Sequence, residues 1–179
     1  TGILAPPITY SIDGTQHVAV LAGWGGAAIA AGNPETSAAG MFGNSGKLFV
    51  FKLGGNKKLK TLPKRSQKIT MVPTGDTNIQ NIKNGASIYM EYCSLCHGPR
   101  AISSGVLPDL RMMTHSTYKR FDSIVLGGEL EPMGMPNFSD LLNAEDVDSI
   151  LQYISHRAHS DRSVHSSLSY SQSKTSTSK

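Results

Sequence analysis

The sequence predicts a mixed fold in which a few antiparallel β-strands precede a small all-α domain. Alternating and β-branched runs fall within residues 1–55, helical periodicity begins after Asn78, and the segment between them is basic and poor in apolar residues. We therefore expect β-structure over 1–55, a basic flexible tether over 56–78, a helical domain over 79–158 and a disordered Ser-rich tail over 159–179. A chain of 179 residues has room for one domain or two small ones.

The β-segment contains three predicted strands. Residues Ile8 to Ile12 and His17 to Leu21 are joined across Asp13-Gly14, which is a strong hairpin signal, and Lys47 to Leu53 alternates as a third strand. Three short strands bury too little apolar surface to be stable alone. We expect that another chain, or an earlier part of the same β-domain, covers this sheet.

A glycine-rich stretch follows the second strand and surrounds the only tryptophan, in Ala22-Gly23-Trp24-Gly25-Gly26-Ala27. Glycines permit a close approach of the backbone to another group, and Trp24 offers a large flat surface to lay against it. The alternative is a glycine-rich loop whose tryptophan fills a core. The residues alone favour neither interpretation.

Charge is distributed unevenly along the chain. Lys and Arg against Asp and Glu number 8 to 3 over residues 1–79, 5 to 9 over 80–154, and 4 to 1 over 155–179. The basic run from Lys57 to Lys68 has no interleaved aromatic residues, so we interpret it as a solvated tether and expect no nucleic-acid partner. No run reaches the ~18 apolar residues of a membrane span. The chain starts with Thr-Gly and lacks a recognisable secretion signal, which suggested a mature protein or a part of a longer one.

Three helices are predicted in the second half. The first ends at Cys93 and is interrupted at Asn84-Gly85, and the second covers about 116–125 and ends at Gly127-Gly128. The last begins at Asn143, with Asp146 three residues on as in a capping box. Its apolar stripe has the spacing i, i+3, i+4 and i+7 and consists of Val147, Ile150, Leu151 and Ile154.

The pentapeptide Cys93-Ser94-Leu95-Cys96-His97 has the spacing of a c-type haem attachment site. In such a site each thiol forms a thioether to a haem vinyl group, and the histidine, here His97, becomes an axial ligand of the iron. Two alternatives stay open at this level, a thioredoxin-like redox pair and half of a zinc site. The first has no role for His97, and the second lacks further cysteines because the chain contains only two.

The succession of a helix, the attachment site, a loop, a helix, a methionine loop and a helix resembles small class I-like cytochromes c throughout residues 80–158. A methionine on the second face of the haem gives an electron carrier, because no coordination position stays open. Gly134-Met135-Pro136-Asn137-Phe138 is similar to the family's sixth-ligand loop, so the resemblance implies Met135 as the second axial ligand, with Met133 as the alternative. Met112 and Met113 are interpreted as pocket-lining or surface residues.

The same resemblance implies roles around the haem for Pro108 and Arg111. In the family, a proline carbonyl about a dozen residues after the histidine accepts its Nδ1–H bond, and Pro108 occupies that place. Arg111 is a candidate to neutralise a haem propionate, with a surface guanidinium as an equal alternative. The other histidines are interpreted as solvent-exposed and not as ligands, namely His17, His115, His156, His159 and His165.

The first half also carries a resemblance. Residues 5–28, from Ala5-Pro6-Pro7-Ile8 to Gly25-Gly26-Ala27-Ala28, look like the last blade of the eight-bladed β-propeller of pyrroloquinoline quinone (PQQ) dehydrogenases. Residues 46–53, Gly-Lys-Leu-Phe-Val-Phe-Lys-Leu, are similar to the strand that closes that ring. A last blade, a tether and one cytochrome c domain is the arrangement of quinohaemoprotein alcohol dehydrogenases, of which the sequence resembles the C-terminal part.

This resemblance implies a function for the longer parent enzyme. It implies periplasmic oxidation of an alcohol by PQQ held over calcium, with an aspartate base, and electrons passing to haem c and on to a cytochrome, a copper protein or the quinone pool. Membrane association of the parent is compatible with it. The base, the calcium ligands and most PQQ contacts belong to earlier blades, so no catalytic residue is expected here, and only Trp24 is placed near the PQQ region. Alone, these residues are expected to bind haem and oxidise no alcohol.

Two competing hypotheses remain beside this interpretation. The first is an independent c-type cytochrome whose β-extension docks onto a partner, which the upstream sequence would distinguish. The second is a non-haem metal or dithiol module, which the absence of a thioether-type haem spectrum would favour.

Overall fold

The computed structural model of the chain has three antiparallel strands followed by helices, as the sequence predicted. None of the helices that it describes is both long and apolar enough to cross a membrane. The described residues are 2–23, 25, 41–42, 45–60, 64, 69, 78–103 and 105–175, with the backbone alone for 163–175.

The sheet is a meander of three strands in the order β1 (Ile8–Ile12), β2 (Thr15–Ala22) and β3 (Lys47–Lys52). The β1–β2 turn has positive φ at Asp13 and Gly14, 49° and 71°, which is the twist that a two-residue hairpin needs. The register places Ala22 opposite Lys47 on the second pairing. The predicted hairpin and third strand are confirmed.

Most large apolar side chains of the sheet are exposed, on β1, β2 and β3 alike. Only Ala19 and Ala22 among the strand residues are buried. The expectation that these strands do not enclose a core of their own is therefore confirmed. The exposed side chains are Ile8, Ile12, Val18, Leu21, Leu48, Val50 and Phe51.

Gly23, at the end of β2, makes a close backbone approach, as one of the two interpretations of the glycine-rich stretch expects. Its φ is 148°, and a Cβ built there would lie 2.9 Å from the Cα of Gly46. Its N–H donates to the Gly2 carbonyl at 2.8 Å. The group approached is thus the backbone before β3. Trp24 lies outside the described residues, and so does most of the predicted tether, in which Ile69 is buried.

Two long helices form the frame of the second half, α1 (Ile79–Tyr92) and α5 (Ala144–Thr175). The interruption predicted at Asn84-Gly85 is wrong, because α1 is continuous from its cap, where the Asn78 side chain accepts from the Gln80 N–H at 2.9 Å. Gly85 is buried, and a Cβ there would lie 1.9 Å from the Ser149 carbonyl oxygen. The glycine permits the close crossing of the two helices.

The predicted start of α5 is confirmed, and the helix extends beyond Ala158. Asn143 accepts from the N–H groups of Glu145 and Asp146, and the Asp146 carboxylate accepts from the Asn143 N–H at 3.1 Å, which closes the capping box. We predicted disorder from residue 159, whereas the helix continues to Thr175. Proline and glycine, the residues that usually end a helix, are absent from this stretch of sequence.

Short elements connect α1 to α5. They are α2 (Ser94–His97), α3 (His115–Lys119) and α4 (Phe121–Val125), with 3₁₀ turns at Pro99–Ala101, Leu110–Met112 and Glu131–Met133. The single helix predicted over 116–125 is broken at Arg120, whose φ and ψ are −106° and 14°. The core between these elements contains the predicted α5 stripe and packs it against α1 and α4 through Tyr89, Phe121 and Val125.

Candidate functional site

The two cysteines and His97 lie on one helical turn at the end of α1. The Cys93 N–H donates to the Tyr89 carbonyl at 2.9 Å, and the His97 N–H donates to the Cys93 carbonyl at 2.9 Å. Neither cysteine forms a disulfide, and Cys93 is half-buried whereas Cys96 is exposed. Burial raises the pKa of the Cys93 thiol to about 11, with a further contribution from Cys96, so Cys93 is a neutral thiol at physiological pH.

His97 has one ring nitrogen engaged by the protein. Its Nδ1 lies 3.1 Å from the Pro108 carbonyl oxygen. A carbonyl oxygen only accepts, so this bond places the proton on Nδ1 and leaves the lone pair on Nε2. Among the described residues, no hydrogen bond uses Nε2. The half-buried His97 thus keeps Nε2 available for a metal, and a carbonyl partner on Nδ1 raises the basicity of a ligating imidazole.

The turn after His97 is fixed by Gly98 and Tyr89. Gly98 has a φ of 83°, and a Cβ there would lie 2.0 Å from the Ile102 carbonyl oxygen. The fully buried Tyr89 hydroxyl donates to the Gly98 carbonyl at 2.8 Å. Burial is the largest cause that raises the pKa of Tyr89, so the hydroxyl stays a neutral donor.

The residues after Pro108 form a buried ionic cluster. Arg111 is 2% exposed, so the surface interpretation of this residue is wrong. Its Nε and Nη2 donate to the two Asp109 carboxylate oxygens at 3.0 and 2.8 Å, and its Nη1 donates to Asp161 at 2.8 Å. Burial by itself lowers the pKa of Arg111, but the hydrogen bonds and charges of Asp109 and Asp161 raise it above its usual value. The guanidinium is therefore charged, and its role toward a propionate stays a prediction.

The two candidate methionines differ in burial. Met135 is half-buried and packs against the main core, and its N–H donates to the Leu130 carbonyl at 3.2 Å. Met133 is 82% exposed and ends the 3₁₀ turn before Gly134. A thioether that ligates a haem in a core must lie at that core, so the difference favours Met135. Of the other methionines, Met113 is 5% exposed in the core, and Met112 is half-buried.

The side chains at this site have the chemistry that a haem c requires. Two free thiols are three residues apart, the adjacent imidazole keeps Nε2 for a metal, and a thioether packs on the same apolar cluster as Cys93. The half-buried apolar side chains of that cluster include Tyr92, Leu110, Tyr118, Leu126 and Phe138. Within the described part of the chain, no group of three or more His, Cys, Asp or Glu side chains is placed to hold a metal ion.

The remaining histidines have varied surroundings. His115 and His156 are exposed as predicted, and His115 stacks on Tyr118. His17 is half-buried, with Nδ1 2.9 Å from the Thr15 carbonyl oxygen and its ring stacked on Tyr10. His159 is half-buried, and the side chain of His165 lies outside the described residues.

Sequence reasoning missed the carboxylates of the ionic cluster. The sequence predicts no role for Asp109, and Asp161 lies within the segment predicted to be a disordered tail. The pair Arg157–Asp161, whose charged groups meet at 2.8 Å with i, i+4 spacing, was a signal that the helix continues past Ala158.

The chain is similar to several known proteins. Residues 80–154 match the family model described as cytochrome C oxidase, cbb3-type, subunit III. The chain is 39% identical over 162 residues to the quinohemoprotein alcohol dehydrogenase ADH IIB of Pseudomonas putida, which is 90% of this chain and 23% of that protein. It is 41% identical to ADH-IIG of the same organism, over 89% of this chain and 22% of that protein.

A solved structure is similar to this chain as well. The quinohemoprotein alcohol dehydrogenase ADHIIG from Pseudomonas putida HK5 superposes with a TM-score of 0.69 at 37% identity, over 89% of this chain and 23% of that one. The chain thus spans about a fifth of the length of the curated relatives it matches. The similarity extends well beyond residues 80–154, because 162 aligned residues exceed the length of that region.

Proposed function

We propose that this chain, whose residues 80–154 are a cytochrome c domain similar to that of quinohaemoprotein alcohol dehydrogenases, carries the electron-transfer haem c of such an enzyme. The observation that carries the proposal is the bond between His97 Nδ1 and the Pro108 carbonyl, one turn from two free thiols. It prepares the imidazole as a metal ligand within a cytochrome-type sequence. The haem, when bound, takes up and gives up one electron at its iron.

Four side chains would hold the haem. Cys93 and Cys96, which form no disulfide, would attach it through thioethers. His97 Nε2 and the Met135 thioether would ligate the iron, with Met133 as the alternative to Met135. The apolar cluster around Cys93 and Met135 would exclude water from the site, which favours a stable pair of axial ligands.

The proposal also assigns each half of the chain to a fold. Residues 79–158 would form a class I-like cytochrome c, and residues 1–55 the last blade and closing strand of an eight-bladed propeller. The exposed apolar side chains of β1, β2 and β3 support the second part, because neighbouring blades would cover them. The residues between, 56–78, would connect the two.

The activity of the parent enzyme follows by similarity and is likewise proposed. It would oxidise an alcohol with PQQ and calcium in the propeller, in the periplasm, where thioether attachment takes place. Electrons would leave through this domain to a cytochrome, a copper protein or the quinone pool. Similarity over 90% of the chain, which takes in residues outside the cytochrome region, supports this arrangement over an independent cytochrome.

Pyridine haemochrome spectroscopy of the expressed 179-residue chain tests the proposal. The native chain is expected to show the band of a haem held by two thioethers. Cys93→Ala and Cys96→Ala are each expected to shift the band toward that of a haem held by one thioether, whereas the exposed control Ser87→Ala leaves it unchanged. The proposal would be overturned if the native chain, purified from a host that matures cytochromes c, contained a metal but showed no haem absorption band.

A further inference from the structure

The Pro108 carbonyl that meets His97 belongs to a peptide group anchored by the next side chain. This peptide joins Pro108 to Asp109, and the Asp109 carboxylate accepts four N–H bonds. Two come from the backbone, at 3.3 Å from Ser103 and 3.2 Å from Arg111, and two come from the Arg111 guanidinium. The Pro108 ring fixes φ at the residue that carries the carbonyl, so the backbone entering this peptide is restrained as well. The carbonyl thus has little freedom to turn away from Nδ1.

Arg111 ties this anchor to α5. Its Nη1 donates to the Asp161 carboxylate at 2.8 Å, across 50 positions of sequence. Arg157 holds Asp161 from one turn earlier with bonds of 2.8 and 2.9 Å, and its Nε donates to the Arg100 carbonyl at 3.3 Å. The loop between the attachment turn and Arg111 is therefore fixed to the last helix at both of its ends.

Burial of these charges is not explained by stability alone. The side chains of Arg111 and Asp109 are 2% and 1% exposed. Well-packed apolar residues of similar volume often stabilise a protein as much as a buried ion pair does, because desolvation offsets the attraction. A second reason to bury such charges is a fixed geometry, and that is the role considered for this network.

We propose that the Asp109–Arg111–Asp161 network is a positioning device for His97, which holds the Pro108 carbonyl on Nδ1 and thereby sets the reduction potential of the haem. The inference rests on the proposed function, because it requires His97 to ligate the iron. Asp109, Arg111 and Asp161 are positioning residues, since they act through the Pro108 carbonyl.

The sign of the effect on the potential separates this role from a direct charge effect. A firm Nδ1–H bond raises the basicity of His97, and a more basic ligand favours ferric iron, which lowers the potential. Loosening the network is therefore expected to raise the potential, whichever member is changed. A direct Coulomb effect instead lowers the potential when the positive Arg111 is removed and raises it when the negative Asp161 is removed.

The test is a potentiometric titration of the haem-loaded chain and its variants. Arg111→Gln and Asp161→Asn are both expected to raise the midpoint potential, and Arg111→Lys, which keeps the charge without the two-pronged geometry, to raise it less. The control is Arg120→Gln. It removes a guanidinium that pairs with Glu129 at a half-exposed site, and it is expected not to raise the potential. Opposite shifts for Arg111→Gln and Asp161→Asn, or none for either, would overturn the inference.

A second measurement decides the matter if Arg111→Gln does not fold. In the ferrous Asp161→Asn chain, the Nδ1–H proton resonance of His97 is expected to move upfield, as a weakened hydrogen bond requires. An unchanged resonance would contradict the positioning role even with a raised potential. A native chain without haem would instead refute the proposed function, which the haemochrome spectrum reports separately.

Discussion

At the scale of single residues, the candidate haem site combines groups that are reactive with groups that restrict them. His97 is held as one tautomer by the Pro108 carbonyl, and the Cys93 thiol stays protonated because it is half-buried. Tyr89 and Gly98 shape the turn that carries them. Each restriction reduces the freedom lost when a prosthetic group binds, which is the general benefit of a preorganised site.

The assignment of Met135 is tested by truncating each methionine of the loop. Met135→Ala is expected to remove the second axial ligand and to lower the reduction potential, because a thioether ligand raises it. Met133→Ala, at an 82% exposed position, is the matched control and is expected to keep the native absorption spectrum and potential. The reverse result would assign the ligand to Met133.

The bond between Tyr89 and Gly98 is tested by Tyr89→Phe. The change leaves a buried carbonyl without its partner, so the free energy of unfolding is expected to fall by about 1–3 kcal/mol. Denaturant titration of the haem-loaded chain measures it. Tyr118→Phe, on a half-buried ring, is the control and is expected to change stability by less than about 0.5 kcal/mol. Equal effects of the two changes would argue against a stabilising role of the Tyr89 bond.

Residues with a local signature could be predicted from the sequence, and residues linked across the chain could not. Cys93, Cys96, His97, Pro108 and Met135 all belong to short patterns. Arg111 and Asp161 meet across 50 positions, and their pairing depends on a helix end that Ser-rich composition concealed. Trp24, the one residue assigned to the PQQ region, lies outside the described residues and its role stays a prediction.

At the scale of elements, the crossing of α1 and α5 organises the helical half. The sequence predicted the apolar stripe of α5 because its spacing is regular, and all four of its members are buried. It misread Gly85 as a helix break, because a glycine in a helix has the same local cost whether or not another helix packs against it. Only the facing Ser149 backbone distinguishes the two cases.

Gly85→Ala tests this crossing. At an ordinary helix position the change would stabilise the protein by about 0.5–1 kcal/mol, because alanine is the better helix former. Here the new Cβ would lie 1.9 Å from the Ser149 carbonyl oxygen, so we expect the free energy of unfolding to fall by about 1–3 kcal/mol. Asn84→Ala, one residue earlier and exposed, is expected to be neutral or slightly stabilising. A stabilised Gly85→Ala chain would show that the helices cross less closely.

At the scale of the whole molecule, the two halves differ in how their apolar residues are covered. The helices enclose a core that contains the α5 stripe, whereas the strand residues expose most of their large apolar side chains. The sequence predicted this contrast from the number of strands. Its further assignment, to a propeller blade followed by a cytochrome c domain, stays a prediction, while the similarity to a quinohemoprotein alcohol dehydrogenase covers 90% of the sequence.

In the proposed parent enzyme, alcohol oxidation and electron transfer take place in different domains. The 179 residues alone are therefore expected to lack alcohol-oxidising activity. The haem-loaded chain, supplied with PQQ and calcium, is expected to reduce no artificial dye when primary or secondary alcohols are added. The resemblance places the aspartate base and the calcium ligands in earlier blades. Alcohol-dependent dye reduction, absent from a matched sample without alcohol, would show that an oxidising site lies within these residues.

The central claim is that this chain holds a six-coordinate haem c that transfers single electrons. A spectroelectrochemical titration of the haem-loaded chain tests it most directly. We predict one reversible one-electron transition, with low-spin spectra in both the ferric and the ferrous state, because His97 and Met135 would occupy both axial positions. A high-spin spectrum in either state, which reports an open coordination position, or the absence of any haem transition, would contradict the account.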